Sequence, residues 1–313
     1  MRNAFAAELT SLAATDNRIV LLSGDIGNRL FDEFKKHFPK RFYNCGVAEA
    51  NMMSMAAGMA LCGMRPITYT ITPFTTIRCL EQIKIDVCYH NLPVLIVGIG
   101  SGLSYAELGA THHSCDDIAF LRALPNMTVI CPCDSYEAKM ALRKAVQYNR
   151  PVYIRLGKKG EPIIHKEEAD FNIGKGIIIT KGIDVCILSV GTIMPVVLQA
   201  GEELKKRNIS TEIISYHTVK PLDVDILGRV FSEFKVVVTV EEHSVVGGFG
   251  SSIAEWFVKQ EKFKARLLNI GVTDEFFYDA RNQDYARKCY GLTPEAIAEK
   301  VMSCYSGKDS VER

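Results

Sequence analysis

The sequence has little of what marks secreted, membrane-spanning or nucleic-acid-binding proteins. No apolar run approaches the length of about 20 residues that a membrane span needs. Met1 to Leu12 contains no uninterrupted apolar stretch of the signal-peptide kind. The 37 lysines and arginines nearly cancel the 36 aspartates and glutamates, so no broad basic field is present for nucleic acid or an anionic membrane. We therefore expect a cytoplasmic protein that binds small molecules or protein partners, but neither nucleic acid nor membrane.

Disulfide and zinc patterns are also missing, although the chain has 10 cysteines. The cysteines are scattered through apolar segments of a large chain, which is typical of reduced, mostly buried thiols. The densest group of possible metal ligands is His112, His113, Cys115, Cys131 and Cys133. Its spacing matches none of the usual zinc patterns. We therefore predict no metal site formed by this chain alone.

The chain does have a regular alternation of short apolar strands and amphipathic helices. A chain of 313 residues that is 48% hydrophobic is long enough for two cores. The alternation predicts parallel sheets covered by helices on both faces. It breaks from about Gly157 to Lys181, where glycine, lysine, glutamate and proline show no sustained period. We predict an α/β protein of two doubly wound domains, 1–160 and a smaller one at 184–313, joined by a linker at 161–183.

The elements of both domains are predicted from hydrophobic periodicity. In the first domain we predict strands at 18–23, 66–71, 93–99, 127–131 and 151–155, and helices near the N-terminus and at 48–62, 76–89, 116–124 and 135–147. In the second domain we predict strands at 184–190, 211–215, 235–240 and 265–270, and helices at 195–207, 248–259 and after the Thr293-Pro294 cap.

Ligands of α/β sheets bind outside the carboxyl ends of the strands, so functional residues are expected in the loops there. Three of these loops carry side chains that could bind a ligand or take part in catalysis. They are Glu49 in 44–52, Phe74 and Arg78 in 72–82, and His112 in 102–127. Each also has an ordinary structural explanation. A glutamate favours a helix start, an aromatic ring at a strand end usually packs in the core, and a lone histidine is usually structural. Local sequence alone leaves both interpretations open.

Taken together, the three loops resemble the transketolase family. The segment 46–49, Gly-Val-Ala-Glu, closely resembles the motif whose glutamate faces the aminopyrimidine of thiamine diphosphate in that family. The segment 72–82 has the family's phenylalanine, arginine and Glu-Gln at the same spacing. The segment 109–127 has its Gly-x-Thr-His, acidic pair and Leu-Arg-x-Leu-Pro-Asn-Met in order. The resemblance spans essentially the whole chain, with the pyrimidine-binding domain first and the family's C-terminal domain second.

The resemblance does not include the family's N-terminal domain, which binds the diphosphate and metal through a Gly-Asp-Gly motif followed by asparagines. The segment 24–28, Gly-Asp-Ile-Gly-Asn, does not replace it, because isoleucine stands where the second glycine is needed. The resemblance therefore implies a split transketolase. An N-terminal subunit would pair with this chain, as α2β2, and would hold most of the thiamine diphosphate together with Mg²⁺ or Ca²⁺.

The resemblance also implies roles in binding the cofactor. Glu49 would hydrogen-bond the pyrimidine nitrogen N1′, and Phe74 would stack on the pyrimidine ring. Asp25, which follows the first strand, matches a position near the thiazolium. Arg78 belongs to the same motif as Phe74, and we expect it in the cofactor site.

Substrate contacts are implied for His112, which would polarise or protonate sugar oxygens, and for Arg155 and Arg2, which would contact a sugar phosphate. Two departures limit the prediction of the sugar. Long transketolases have an aspartate where this chain has Leu108, and a phosphate-contacting histidine where it has 99–101, Ile-Gly-Ser. Specificity depends on which buried polar partners are present. A deoxy, branched or sulfonated ketose is therefore as compatible with the sequence as a pentose phosphate.

Three other interpretations stay open at the level of sequence. The β subunit of a 2-oxoacid dehydrogenase and half of a 1-deoxyxylulose-phosphate synthase use the same cofactor and similar motifs. A noncatalytic scaffolding subunit would have kept the fold without turnover, but the retention of Glu49, Phe74 and His112 disfavours it. The second domain matches no independent catalytic arrangement, so we assign it to assembly.

Overall fold

The computed structural model describes residues 1–27, 29–165 and 168–307, and these form the two α/β domains predicted from the sequence. The helices are α1 (Arg2–Thr15), α2 (Asp32–His37), α3 (Glu49–Leu61), α4 (Thr72–Thr75), α5 (Leu80–Gln82), α6 (Asp117–Arg122), α7 (Ser135–Gln147), α8 (Met194–Lys206), α9 (Val224–Glu233), α10 (Phe249–Phe257), α11 (Gln283–Cys289) and α12 (Pro294–Ser306). The strands are β1 (Ile19–Ser23), β2 (Phe42–Asn44), β3 (Arg65–Ile71), β4 (Leu95–Ile99), β5 (Thr128–Ile130), β6 (Val152–Leu156), β7 (Ile177–Thr180), β8 (Val185–Val190), β9 (Thr211–Ser215), β10 (Thr218–Lys220), β11 (Val236–Ser244) and β12 (Arg266–Val272).

The first sheet has seven strands in the order β10-β5-β6-β4-β3-β1-β2. Its six strands from the first domain are parallel, and β10 is antiparallel to β5 at one edge. β10 comes from the second half of the chain, so the second domain completes the sheet of the first. The carboxyl ends of β1, β3, β4 and β6 are neighbours at one edge of this sheet.

The second sheet has five strands in the order β12-β11-β8-β9-β7, and only β7 is antiparallel to its neighbour. The predicted linker at 161–183 is therefore not wholly a linker, because β7 lies within it and pairs with β9. The four apolar or β-branched residues of β7 stand between glycines and lysines, and so short a run shows no sustained period in the sequence.

The two domains share part of their hydrophobic core. One cluster of buried side chains contains Ile96 and Cys131 from the first sheet together with Leu188 and Phe249 from the second domain. Such an apolar junction makes the relative position of the domains part of the fold rather than a loose tether.

A buried polar group joins the domains at the same junction. Arg155, at the end of β6, donates from Nε to Asp117 Oδ2 at 2.8 Å, and from Nη2 to the carbonyls of Ser114 at 2.7 Å and Glu242 at 3.1 Å. Glu242 Oε1 in turn accepts from the Leu103 backbone N–H at 2.7 Å. Glu242 of the second domain thus fixes the beginning of the loop at 100–114, and Arg155 of the first domain fixes its end.

The glycine-rich start of α10 serves packing in the described structure. The Glu241 carboxylate accepts from the backbone N–H groups of Phe249 at 2.6 Å and Gly250 at 2.7 Å. An acidic side chain therefore already satisfies the free amides at this helix start. Burial raises the pKa of Glu241 to about 7, although the two backbone bonds oppose the shift.

Several elements differ from the prediction. The segment predicted as one helix at 76–89 is divided into a 3₁₀ turn at Ile77–Cys79, α5 and a π-helical turn at Ile83–Tyr89, and α4 precedes it. The short elements α2 and β2 and the helices α9 and α11 were not predicted. Among the described residues, no helix is long and apolar enough to cross a membrane, and the cysteines form no disulfide.

Asp117→Asn should destabilise the protein by about 3–5 kcal/mol, because it leaves the buried Arg155 charge without a counter-ion while preserving side-chain shape. The change is measured as a lower midpoint in urea unfolding followed by circular dichroism. As a control, Glu203→Gln removes the exposed ion pair with Lys206, whose charged atoms lie 2.6 Å apart, and should hardly move the midpoint because water screens such pairs. Equal midpoints for the two variants would contradict this explanation.

Candidate active site

The predicted site residues meet at one edge of the first sheet. The segments that follow β1, β3, β4 and β6 begin at Gly24, Thr72, Gly100 and Gly157. Because these four strands are neighbours and parallel, the segments lie side by side in the same order. This edge carries a row of polar and aromatic side chains from Glu49 at one end to Lys158 at the other.

Glu49 is the first residue of α3 and its side chain is almost fully buried, with 4% of the residue exposed. A Cβ added to Gly24 would lie 2.8 Å from Thr70 Oγ1 and 3.9 Å from Glu49 Oε1. Thr70 Oγ1 is itself buried and has no hydrogen-bond partner. The carboxylate thus lies beside a position where only glycine fits and beside an unsatisfied hydroxyl group.

Arg78 lies between Glu49 and Phe74. Its Nη1 donates to Glu49 Oε2 at 2.8 Å, and its guanidinium carbon lies 4.1 Å from the centre of the Phe74 ring. Arg78 is exposed, so this contact is accessible from solvent. A shallow depression of about 260 Å³ opens here, lined by Pro73, Phe74, Ile77, Arg78 and Thr111. The guanidinium therefore covers the carboxylate and the aromatic face that the sequence assigns to the cofactor.

His112 stands next in the row. Its ring makes edge contacts with Phe74 at 5.2 Å and Tyr105 at 6.0 Å between ring centres. Its Nδ1 is 3.0 Å from Thr111 Oγ1. Burial lowers the pKa of His112 below its ordinary value, and the charges of His113 and Arg78 lower it further. A neutral imidazole, which can donate or accept a proton, is thus favoured near pH 7.

The far end of the row was missed by the sequence analysis. Tyr105 packs its ring against Gly100, where an added Cβ would overlap the ring. Lys158 Nζ lies 4.6 Å from the centre of the Tyr105 ring and 2.5 Å from Glu107 Oε1. Position after β4 and β6 was the only available signal for these residues, because no motif contains them.

Asp25 and Arg2 lie at the border of the row. Asp25 is exposed after β1, and its Oδ1 accepts from Asn44 Nδ2 at 3.3 Å. Arg2 begins α1 beside Tyr69. Burial raises the pKa of Tyr69, and the positive charge of Arg2 opposes that shift. The fifth residue of the loop after β1, Asn28, lies outside the described residues.

Arg155 does not face this edge, which corrects its expected role as a phosphate contact. Only 2% of it is exposed, and its guanidinium is bound to Asp117 and two backbone carbonyls. A phosphate could reach it only by breaking the junction of the two domains. Arg155 therefore has a structural role in this fold.

The five residues weighed as a zinc site do not converge. Of these, Cys133 alone joins a group of possible ligands in the described part of the chain, and its neighbours there are Glu137 and His165. Glu137 Oε1 is 2.9 Å from His165 Nε2 and accepts from Ser215 Oγ at 2.6 Å, while Oε2 accepts from the Cys133 N–H at 2.7 Å. Since both carboxylate oxygens are already bonded, we interpret the group as an ion pair that ties the crossing segment to both domains.

Comparison with known proteins gives the same assignment as these motifs. The family model "Transketolase, pyrimidine binding domain" matches residues 1–161, and "Transketolase, C-terminal domain" matches residues 174–297. A solved structure described as a split gene transketolase, inactive beta4 tetramer, superposes with a TM-score of 0.88 at 32% identity, covering 97% of each chain.

Three curated relatives have nearly the same length as this chain. A putative transketolase C-terminal section of Methanocaldococcus jannaschii is 40% identical, covering 96% of this chain and 95% of the relative. The 6-deoxy-6-sulfo-D-fructose transketolase subunit of a Clostridium species is 36% identical, covering 95% and 92%. An apulose-4-phosphate transketolase subunit of Phocaeicola vulgatus is 32% identical, covering 96% of each. The chain therefore belongs to the transketolase family and has its pyrimidine-binding and C-terminal domains.

Proposed function

We propose that this chain forms the pyrimidine side of a thiamine diphosphate site in a two-subunit transketolase. The enzyme would transfer a two-carbon ketol unit from a ketose to an aldose. The observation that carries the proposal is the buried Glu49 carboxylate beside Phe74, at the sheet edge that also holds His112.

The side chains at this edge fit the pyrimidine of the cofactor. Glu49 offers a buried carboxylate, Phe74 an aromatic face, and Thr70 a buried hydroxyl without a partner. Gly24 leaves the space next to the carboxylate open, since a Cβ there would crowd Thr70 Oγ1 at 2.8 Å. When bound, thiamine diphosphate supplies the carbon nucleophile that accepts the two-carbon fragment and passes it to an aldehyde.

Glu49 would share a proton with the pyrimidine nitrogen. Its burial keeps water away from that hydrogen bond, which makes the electrostatic interaction stronger than in solvent. His112 would hold or deliver a proton at the sugar oxygens. Its Thr111 contact fixes the ring orientation, and its lowered pKa favours a neutral ring that can act in both directions.

Apolar exposure around the site supports a partner subunit. Val47, two residues before Glu49, is 78% exposed, and Ile77, next to Arg78, is 50% exposed. Apolar side chains around a polar cleft are typical of a protein interface. We propose that the N-terminal subunit covers them in an α2β2 complex and holds the diphosphate together with Mg²⁺ or Ca²⁺. Asp25, exposed at the rim, would face the thiazolium, and Arg2 would contact the substrate.

The names of two relatives support a donor with a negative group far from its keto carbon, a phosphate in one case and a sulfonate in the other. Leu108 and the segment 99–101, Ile-Gly-Ser, stand where long transketolases have two polar groups. A donor lacking the hydroxyl pattern of ordinary pentose phosphates fits such a site. A cytoplasmic location stays a prediction from the sequence.

Glu49→Gln should lower the rate of two-carbon transfer about 10²- to 10⁴-fold, because an amide cannot share a proton with the pyrimidine nitrogen as a carboxyl group can. The reconstituted complex is assayed with a panel of ketoses and an aldose acceptor, with thiamine diphosphate and Mg²⁺ added. Complex formation, followed by size-exclusion chromatography with light scattering, should be unchanged. Full transfer by Glu49→Gln would overturn the assigned role. If the unmodified complex decarboxylates pyruvate but does not cleave ketoses, the chain belongs to a 2-oxoacid enzyme. If it shows no activity with any donor, the interpretation as a noncatalytic scaffolding subunit is favoured.

Arg78→Gln should tighten binding of thiamine diphosphate to the complex by about tenfold, because the guanidinium competes with the cofactor for Glu49 and Phe74. Isothermal titration calorimetry measures this directly. Lys84→Gln, which removes an exposed positive charge nearby in the sequence, is the matched control and should leave the affinity unchanged. Weaker binding by Arg78→Gln would mean that Arg78 holds the cofactor rather than occupying its place.

The acid limb of the kcat/KM profile should lie below pH 6.5, the ordinary value for histidine. Activity falls as pH drops through the lowered pKa of His112, since the ring then gains a proton and can no longer accept one. His112→Asn should lower kcat/KM about 10²-fold and remove this limb. His113→Asn should keep the limb and move it slightly upward, because His113 contributes to the lowering. An unchanged limb in His112→Asn would assign it to another group.

A further inference from the structure

A carboxylate of the second domain contacts the base of the loop that carries His112. Glu242, in β11, is almost fully buried, with 1% of the residue exposed. Its Oε1 accepts from the Leu103 backbone N–H at 2.7 Å. A Cβ added to Gly102, whose φ is +60°, would overlap the same oxygen. The loop therefore reaches the carboxylate this closely only because residue 102 is a glycine.

The loop is also closed at its base, where Gly102 pairs with Ser114. The Ser114 N–H donates to the Gly102 carbonyl at 2.9 Å, and the Gly102 N–H donates to Ser114 Oγ at 2.8 Å. The next residue, Cys115, accepts at its carbonyl from the N–H of Ser244, the last residue of β11, at 2.7 Å. The base of the loop thus lies against β11 as one unit.

A continuous run of backbone hydrogen bonds leads from the Glu242 contact to His112. The Leu103 carbonyl accepts from the Ala106 N–H at 2.9 Å. The Ala106 carbonyl accepts from the Gly109 N–H at 3.3 Å, and the Gly109 carbonyl accepts from the His112 N–H at 2.9 Å. These bonds close three successive turns. The position of Leu103 therefore constrains the backbone of the candidate catalytic histidine.

The other contacts of the Glu242 carboxylate come from α11. Arg287 donates from Nε to Glu242 Oε2 at 2.5 Å, and Gln283 donates from Nε2 to Glu242 Oε1 at 2.8 Å. The Glu242 and Arg287 side chains are only 1% and 14% exposed. A buried charge is tolerated only with its partner in place. α11 therefore holds the carboxylate that in turn holds the loop.

We propose that Glu242 is a positioning residue for His112. Held by Arg287, it fixes Leu103 and, through the three turns, sets the imidazole in its place against Phe74. Glu242 acts through the loop and does not itself contact the sugar. The inference rests on the proposed function, because it gives the second domain a part in the reaction through His112.

The kinetic test uses Glu242→Gln in the reconstituted complex. This change keeps the shape of the side chain but sets an amide donor against the Arg287 donor or the Leu103 N–H. It should lower kcat about 10- to 10²-fold, since small displacements of a reacting group have effects of this size, and should change the KM for the ketose far less. Arg287→Lys, which keeps a cation beside Glu242, should retain most of the kcat.

The matched control is Glu212→Gln. Glu212 is another buried carboxylate of the second domain, and it is paired with Arg229 at 2.5 Å. Its loss should lower stability, as loss of the Glu242 carboxylate does, but should leave kcat unchanged. Should Glu242→Gln not fold, Gln283→Ala removes one neutral bond to Glu242 and spares its ion pair. It should lower kcat several-fold.

A double-mutant comparison tests whether Glu242 acts through His112. Glu242→Gln, or Gln283→Ala in its place, should lower kcat when His112 is present and hardly at all in the His112→Asn background. The acid limb of the kcat/KM profile gives a second measurement. Burial, followed by the charges of His113 and Arg78, lowers the pKa of His112. A loosened loop admits water, so Glu242→Gln should move the limb up towards pH 6.5, and Glu212→Gln should leave it in place.

Hydrogen exchange of the backbone amides at 103–112, measured by mass spectrometry on the complex, tests the positioning without turnover. Exchange should be faster in Glu242→Gln than in the unmodified complex and unchanged in Glu212→Gln. Faster exchange in a complex that transfers no two-carbon unit supports the positioning and rejects the proposed function. Unchanged exchange, or an equal loss of kcat with and without His112, overturns the positioning and leaves the transketolase reaction standing.

Discussion

The buried ion pair of Arg155 and Asp117 is the interaction on which the arrangement of this protein depends. Arg155 belongs to β6, Asp117 begins α6, and the two carbonyls that Arg155 also binds belong to the loop after β4 and to β11 of the second domain. A charge buried this deeply is tolerated only when every donor has a partner. The Glu242 carbonyl belongs to the second domain, so the two domains must lie in one relative position for Arg155 to keep this third partner.

That constraint reaches the site through the loop at 100–114. Glu242 of the second domain accepts from Leu103 at the beginning of the loop, and Ser114 at its end is held by Arg155. His112 and Tyr105 lie between these two anchors. The second domain, assigned to assembly from its sequence, thus positions the loop that carries the candidate catalytic histidine. Catalysis depends strongly on such positioning, since small displacements of reacting groups are costly.

Much of the fold and the central part of the site could be predicted from the sequence. The alternation of apolar strands and helices identified every parallel strand of the two sheets except β2. A parallel strand that is buried on both faces consists of consecutive apolar residues, which are easily recognised in a sequence. β7 and β10 escaped notice, since each is short and its pairing partner is distant in sequence. Glu49, Phe74, Arg78 and His112 were found through motifs, and the structure brings these four side chains into one contiguous row. Arg155 shows the limit of prediction from sequence. An arginine at the end of a strand has the same local sequence whether its side chain faces the cleft or the core.

The sequence by itself determined the class of fold, the family and the identity of the central site residues, because these are recorded in local periodicity and in contiguous motifs. Only the tertiary structure decided which charged groups remain free for a ligand. Arg155 is buried and paired with Asp117, which lies 38 residues away along the chain. Lys158, three residues after Arg155, stays partly exposed over the Tyr105 ring. The physical reason is that the availability of a charge depends on burial and on partners supplied by other strands and the other domain, and no local pattern specifies these.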